Sequence, residues 1–181
     1  IIDYYRIPKP AYYAAKRACS PQLGIISRRA GKFLVHFSNQ TETNSEIVFK
    51  TGIGDLKGEK NVLYSSVKHG STGAGTLLWS ISESEISLSD TQFLYLEYQI
   101  DGIQQKNVSY FPDGWKHIKW VDADPQYKVI DQAEISNGWK TNIELCSSQY
   151  TRFLHLLIGQ EDSYVEYSDN YFDLLPGEVY R

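Results

Sequence analysis

The chain has 181 residues, 41% hydrophobic and 14% aromatic, which is enough apolar matter for one large domain or two small ones. A formal net charge of −4 leaves no electrostatic footprint for a phosphate backbone, so nucleic acid is excluded as a partner. The longest apolar stretches, such as 153–158, are far too short to cross a bilayer as a helix, and no charged segment followed by an apolar one marks a targeting signal. A first residue Ile1 in a chain without methionine leads us to expect a segment of a longer protein.

Residues 1–21 differ in character from the rest of the chain. Pro8-Lys9-Pro10 sets an extended entry, and 11–18 is strongly helix-permissive, so one short helix is predicted there, ended by Ser20-Pro21. Ala11, Ala14, Ala15 and Ala18 fall on one face, which is expected to press closely against a neighbour.

From Leu23 the hydrophobic period shifts toward two. Strands are predicted at 23–28, 32–37, 46–51, 62–68, 75–82, 91–98 and 104–111, about seven, the number an immunoglobulin-like sandwich needs. Between Pro112 and Pro125 turn residues flank a short Trp-bounded strand, and a domain boundary is placed here. A second series of strands is predicted at 127–135, 139–146, 152–158, 164–167 and 171–174, with a further start at Val179. The expected fold is therefore all-β: two tandem immunoglobulin-like β-sandwiches at 22–120 and 121–181, preceded by one short α-helix. The second holds about five strands and a stub, so it is expected to be incomplete, with the native chain continuing past Arg181.

Candidate chemistry is sparse. Glycoside hydrolysis by the common route needs two opposed carboxyl groups, and Glu83 with Glu85, Asp122 with Asp124, and Glu161 with Asp162 read instead as solvated local clusters. His36, His69, His117 and His155 lack metal-ligand spacing. Gly52-Ile53-Gly54 and the glycines at 70–75 lack the helix or Gly-Lys-Ser/Thr of a phosphate loop and read as strand connections. No catalytic residue, metal site or cofactor site is predicted. Cys19 and Cys146 read as buried small hydrophobes rather than a disulfide. The Asn39-Gln40-Thr41 and Asn107-Val108-Ser109 sequons are too short to build on. Trp79, Trp115, Trp120 and Trp139 are expected to fill cores and the lobe boundary, with a sugar-stacking surface as the alternative.

Two stretches carry a family resemblance. Residues 3–18 (Asp-Tyr-Tyr-Arg-Ile-Pro-Lys-Pro-Ala-Tyr-Tyr-Ala-Ala-Lys-Arg-Ala) resemble the exit of the (β/α)8 catalytic barrel in glycoside hydrolase family 2. The stretch Ser168-Asp169-Asn170-Tyr171-Phe172-Asp173-Leu174-Leu175-Pro176-Gly177-Glu178 resembles the Ser-Asp-Asn-x-Phe-x-Leu-x-Pro-Gly-Glu signature near the end of β-mannosidases and related exo-β-glucosaminidases. The resemblance implies the noncatalytic C-terminal region of such a retaining enzyme, in a periplasmic or secreted setting, with the catalytic glutamates upstream and the barrel of the parent chain as partner. Within the signature, Ser168, Asp169, Asn170, Phe172, Pro176, Gly177 and Glu178 are expected to build a structural corner: Asp169-Asn170 capping a turn, Pro176-Gly177 turning the chain. A weak carbohydrate contact from Asp169 or Asn170 is the competing role. Two rivals to the accessory reading are a carbohydrate-binding module and an immunoglobulin-like protein-interaction module.

Overall fold

A computed structural model describes residues 2–3, 7–158 and 165–181. The chain is all-β with one short helix, as its periodicity implies. The expectations that fell on residues 1, 4–6 and 159–164, including Glu161, Asp162 and the start of the strand at 164–167, lie outside the described residues; 165–167 form no strand.

The helix α1 spans Pro10–Ala18. Pro10 stands in its first turn, where the missing N–H costs nothing, and Lys16 and Arg17 sit in the last turn, where the helix dipole favours cations. The face it packs within this chain is not the alanine face. Ala11, Ala14 and Ala18 are exposed, whereas Tyr13 is buried and Arg17, one turn on, is half-buried. A ring and a guanidinium, which can reach a neighbouring loop, anchor this helix where small side chains cannot.

Eight strands succeed the helix: β1 Gln22–Arg29, β2 Lys32–Asn39, β3 Ser45–Asp55, β4 Lys60–Gly70, β5 Ala74–Ser82, β6 Gln92–Ile100, β7 Ile103–Gln104 and β8 Val108–Tyr110, with a 3-10 turn at Glu83–Glu85. They form two antiparallel sheets, β1-β2-β5 and β4-β3-β6-β7, with β8 also paired to β6. Inward residues at alternate positions close the core between them: Phe33, Val35 and Phe37 from β2 meet Ile47 and Phe49 from β3 and Leu94, Leu96 and Tyr98 from β6.

Two expectations need correction here. Gly52 and Gly54 are not a connection; they lie inside β3, paired to both β4 and β6. A Cβ on Gly52 would stand 2.0 Å from the Asn61 carbonyl oxygen, and one on Gly54 2.7 Å from the Phe93 ring. Close approach, not turning, is what these glycines supply. The single strand expected at 104–111 is two short ones. The chain leaves the sheet at 105–107 because the Asn107 N–H is drawn to Glu178 and the Lys106 ammonium to the Asp173 carbonyl, both in the second lobe.

The Trp-bounded strand expected between 112 and 125 is also absent. That stretch lies across the lobe boundary, with Ile118, Trp120 and Val121 packed on a core of Leu56, Phe93, Tyr95, Phe111, Tyr150 and Leu175 drawn from both sides.

In the second lobe β9 Gln126–Ile135, β10 Gly138–Cys146 and β13 Val179–Tyr180 form one sheet, in the order β13-β10-β9, and β11 Thr151–Leu154 pairs with β12 Phe172–Leu174. The strand expected at 152–158 is shorter, ending at Leu154 after a register irregularity in which Phe153 takes φ 55°. In the β9–β10 hairpin every residue of β9 is exposed, whereas β10 turns Leu145 inward near its end. Leu145, Phe172 and Leu174 make the small core of this lobe.

Candidate functional site

The signature residues gather where α1, the first lobe and the second lobe meet. Arg17 Nη1 donates to Asp169 Oδ1 and, at 3.1 Å, to the Asn170 carbonyl; Nη2 donates to the Tyr171 carbonyl at 3.0 Å. Lys16 adds a bond to the Ser168 carbonyl at 2.8 Å. The last turn of the helix is thereby tied to four successive residues, 168–171. Planar guanidinium geometry suits such a fork of oxygens.

Asn170, buried, clasps the Leu156 backbone twice: its Oδ1 accepts from the Leu156 N–H at 2.8 Å and its Nδ2 donates to the Leu156 carbonyl at 3.0 Å. Asp169 Oδ1 also accepts from the adjacent Asn170 N–H, while Oδ2 accepts from the Tyr180 hydroxyl at 3.1 Å. Phe172 enters the core of the second lobe. Pro176 and Gly177 turn the chain, Gly177 at φ 71° with its N–H on the Ser147 carbonyl. Glu178, buried, accepts from the Asn107 N–H of the first lobe through Oε1 and from the Leu175 N–H through Oε2.

Lys106 completes this clasp and was not singled out by its sequence position. Its ammonium donates to the Asp173 carbonyl at 2.7 Å and lies over the rings of Phe172 and Tyr180, 4.2 and 4.3 Å from their centroids. Burial pushes it below the ordinary lysine value, against the pull of Glu178 and Asp169. Tyr150 spans the same boundary, donating to Asp173 Oδ2 at 2.7 Å with Ser109 Oγ 2.7 Å from its hydroxyl. Burial, helped by the Asp173 charge, raises its pKa well above the phenol range. The unbroken polar run Gln104-Gln105-Lys106-Asn107 was the available signal, since four polar residues cannot continue a half-buried alternation.

Beside the clasp a cleft of about 650 Å³ opens between α1 and the two lobes. Arg17, Lys106, Asp169 and Asp173 line it, together with the rings of Trp115, Phe153 and Tyr171. Phe153 and Tyr171 are non-glycine residues at positive φ, 55° and 53°, and their rings meet at 5.4 Å.

Other sequence candidates lie elsewhere. Glu83 pairs with Arg28, and Glu85 caps its own 3-10 turn. Asp122 and Asp124 occupy the connection before β9. His36 lies in β2, whereas His155 comes just after β11 and stacks on Tyr171, with Nε2 2.8 Å from the hydroxyl. Cys19 and Cys146 are free and exposed, not buried as expected. Asn39 is fully buried, so its sequon is closed by folding. Trp79 and Trp120 are packed, but Trp115 and Trp139 are 55% and 64% exposed, contrary to a core role for all four.

With this geometry in place, comparison with known proteins shows what the chain is similar to. Residues 123–181 match the Ig_mannosidase family, an Ig-fold domain. The matched segment contains the whole Ser168–Glu178 signature on which the resemblance was based. The likeness of solved structures extends over the chain: the β-D-mannosidase from Dictyoglomus thermophilum superposes on 99% of it with a TM-score of 0.85 at 22% identity. The exo-chitosanase CsxA from Amycolatopsis orientalis superposes on 99% with a TM-score of 0.69 at 18% identity. Identities this low establish a shared fold. The Ookinete surface protein PIMMS43 of Plasmodium berghei (strain Anka) is 29% identical over 84 residues, 46% of this chain. The chain spans 21% of the mannosidase, 25% of the exo-chitosanase and 23% of the ookinete protein.

Proposed function

We propose that this chain is a noncatalytic accessory β-sandwich region of a β-mannosidase-like glycoside hydrolase, organised as a helix segment at 1–21 and Ig-like lobes at 22–120 and 121–181. The observation that carries this is the superposition of 99% of the chain on part of a β-D-mannosidase. The clasp joining α1 to the signature supports it further. A helix tied by Arg17 and Lys16 to the second lobe holds both lobes in a set relation to whatever precedes the helix. In this proposal that neighbour is the catalytic barrel, which hydrolyses terminal β-linked mannose or a related sugar.

Two measurements test the proposal. The isolated chain is expected to give no turnover of aryl β-mannosides or other aryl glycosides; turnover that survives purification and vanishes on replacing one Asp or Glu of this chain would overturn it. The reading frame on the 5′ side of the codon for Ile1 is expected to encode a (β/α)8 barrel with two catalytic glutamates, and a frame encoding something else would sink the proposed setting.

A further inference from the structure

The cleft beside the clasp is built unlike the rest of the surface. Phe153 and Tyr171 both occupy the left-handed backbone region, a conformation that is strained for an aromatic residue. Specific bonds hold each there: the Phe153 N–H donates to Asp173 Oδ1 at 2.8 Å, and the Tyr171 carbonyl is gripped by Arg17 while its N–H donates to Asn170 Oδ1. Neither ring enters a core. Phe153 is 53% exposed, Tyr171 is half-buried, and both line the cleft together with the 55%-exposed Trp115. Arg152 covers the Trp115 indole at 4.4 Å and does not line the cleft, so it braces the ring from outside.

The charged groups around these rings are already engaged. Asp169 takes Arg17, the Asn170 N–H and the Tyr180 hydroxyl; Asp173 takes the Tyr150 hydroxyl and the Phe153 N–H; Arg17 holds three oxygens. An anionic ligand would find Arg17 committed and Arg152 laid on the Trp115 and Trp120 rings, and a cationic one no free carboxylate. What the cleft offers is aromatic faces beside neutral amides such as Gln105 and Asn107. That combination suits a neutral ring with apolar C–H faces and a hydroxyl rim.

We propose that this cleft binds a neutral pyranose of an oligosaccharide, with Phe153 and Trp115 as stacking platforms and the Lys106–Asn107 segment meeting the ring hydroxyls. A volume of about 650 Å³ falls in the range of small-molecule sites and accommodates one or two sugar rings. The cleft and its rings do not depend on the proposed parent; only the choice of β-mannosides as first probes rests on that reading.

The test uses the whole chain, titrated with β-1,4-mannobiose and with methyl β-D-mannopyranoside, and with cellobiose as a second neutral sugar. Calorimetry and amide chemical shifts report binding. We expect saturable millimolar binding of at least one sugar, with shifts concentrated at 105–109, 115, 153 and 168–173. Phe153→Gly removes the ring while suiting the positive φ, so the fold should persist and affinity should fall at least fivefold. Trp115→Ala should weaken binding similarly, whereas Trp139→Ala on the hairpin should leave it unchanged. No saturable binding of any of the three sugars at 50 mM, or binding that survives Phe153→Gly with its shifts elsewhere, would overturn the proposal. A frame upstream that encodes no barrel would refute the parent assignment and leave this result standing.

Discussion

Arg17→Ala isolates the tie between helix and signature. The substitution removes one ion pair with Asp169 and two bonds to the Asn170 and Tyr171 carbonyls. A bond to a charged donor contributes about 1.5 to 3 kcal/mol, and breaking a fully buried pair costs about 3 to 5. Here the Arg17 side chain is 30% exposed, so water reaches the freed carbonyls, and Asp169 keeps the Asn170 N–H and the Tyr180 hydroxyl. We expect a loss of about 2 kcal/mol, or roughly 4 to 8 °C in Tm for a chain of this size. A nine-residue helix does not stand alone in water, so the effect should appear first as faster amide exchange at 10–18. Arg17→Lys should recover little, because one ammonium cannot span three oxygens. Urea and thermal unfolding followed by circular dichroism, with Asp169→Asn as the second arm of a double-mutant cycle, measure the coupling, expected near 1 kcal/mol. A single-variant loss below about 0.5 kcal/mol with unchanged exchange in the helix would refute the assignment of Arg17 as its tether.

Two buried tyrosines should answer the same substitution with opposite signs. The Tyr95 hydroxyl is buried with no hydrogen-bond partner among the described residues, and burial pushes its pKa up to about 12. Tyr95→Phe should therefore leave stability unchanged or raise it by up to about 1 kcal/mol, whereas Tyr150→Phe, which strips the Asp173 and Ser109 bonds, should cost about 1 to 3 kcal/mol in urea melts. Gly52→Ala should cost about 2 kcal/mol or more, since its Cβ would meet backbone, while Gly75→Ala, with open space around it, should be close to neutral. On the acid side, burial lifts Glu97, but hydrogen bonds from Lys50 and Lys60 outweigh it and hold the carboxyl below its ordinary value. Its stabilisation is full above the unfolded glutamate value of about 4.3 and is lost as pH falls through the lowered one. Glu97→Gln should flatten the stability profile in that acid window and leave its alkaline side unmoved.

Period-two alternation makes strands such as β2 and β3 legible because each buries one face, alternating buried and open residues along most of its length. Where that condition fails, the pattern misleads. In β3 two glycines read as a loop because a missing side chain looks like a turn in sequence, while in space it marks a place where strands crowd. The 104–111 segment reads as one strand because its apolar ends alternate; only the second lobe, about seventy residues on, supplies the partners that lift 105–107 out of register. The signature itself is visible as a motif, but the oxygens and N–H groups it engages elsewhere in the fold are not. Arg17, Lys106 and Tyr150 were hidden for a common reason: each finds its partner at a separation no local pattern encodes. The alanine face of α1 is open in this chain, because helical spacing identifies a bare face without naming what lies opposite.

The carboxylates of the cleft bear on whether a bound sugar would be held or cleaved. A general acid must carry a proton near neutral pH, and its partner must be free to attack or to activate water, with the pair facing each other across the scissile bond. Neither Asp169 nor Asp173 is free to attack or to activate water. Asp169 is paired with a guanidinium and takes two further donors, and both oxygens of Asp173 accept bonds from groups fixed in the fold, the Tyr150 hydroxyl and the Phe153 N–H. Using either as an acid or a nucleophile would first require breaking the bonds that hold α1, Phe153 and the lobe boundary in place. The two roles separate experimentally. Asp173→Asn should loosen Phe153 and the Tyr150 contact, lowering Tm and sugar affinity together. A catalytic carboxylate would instead lose turnover on its amide substitution while keeping its ligand. In the proposed setting these residues give the cleft its shape, and bond cleavage falls to the barrel.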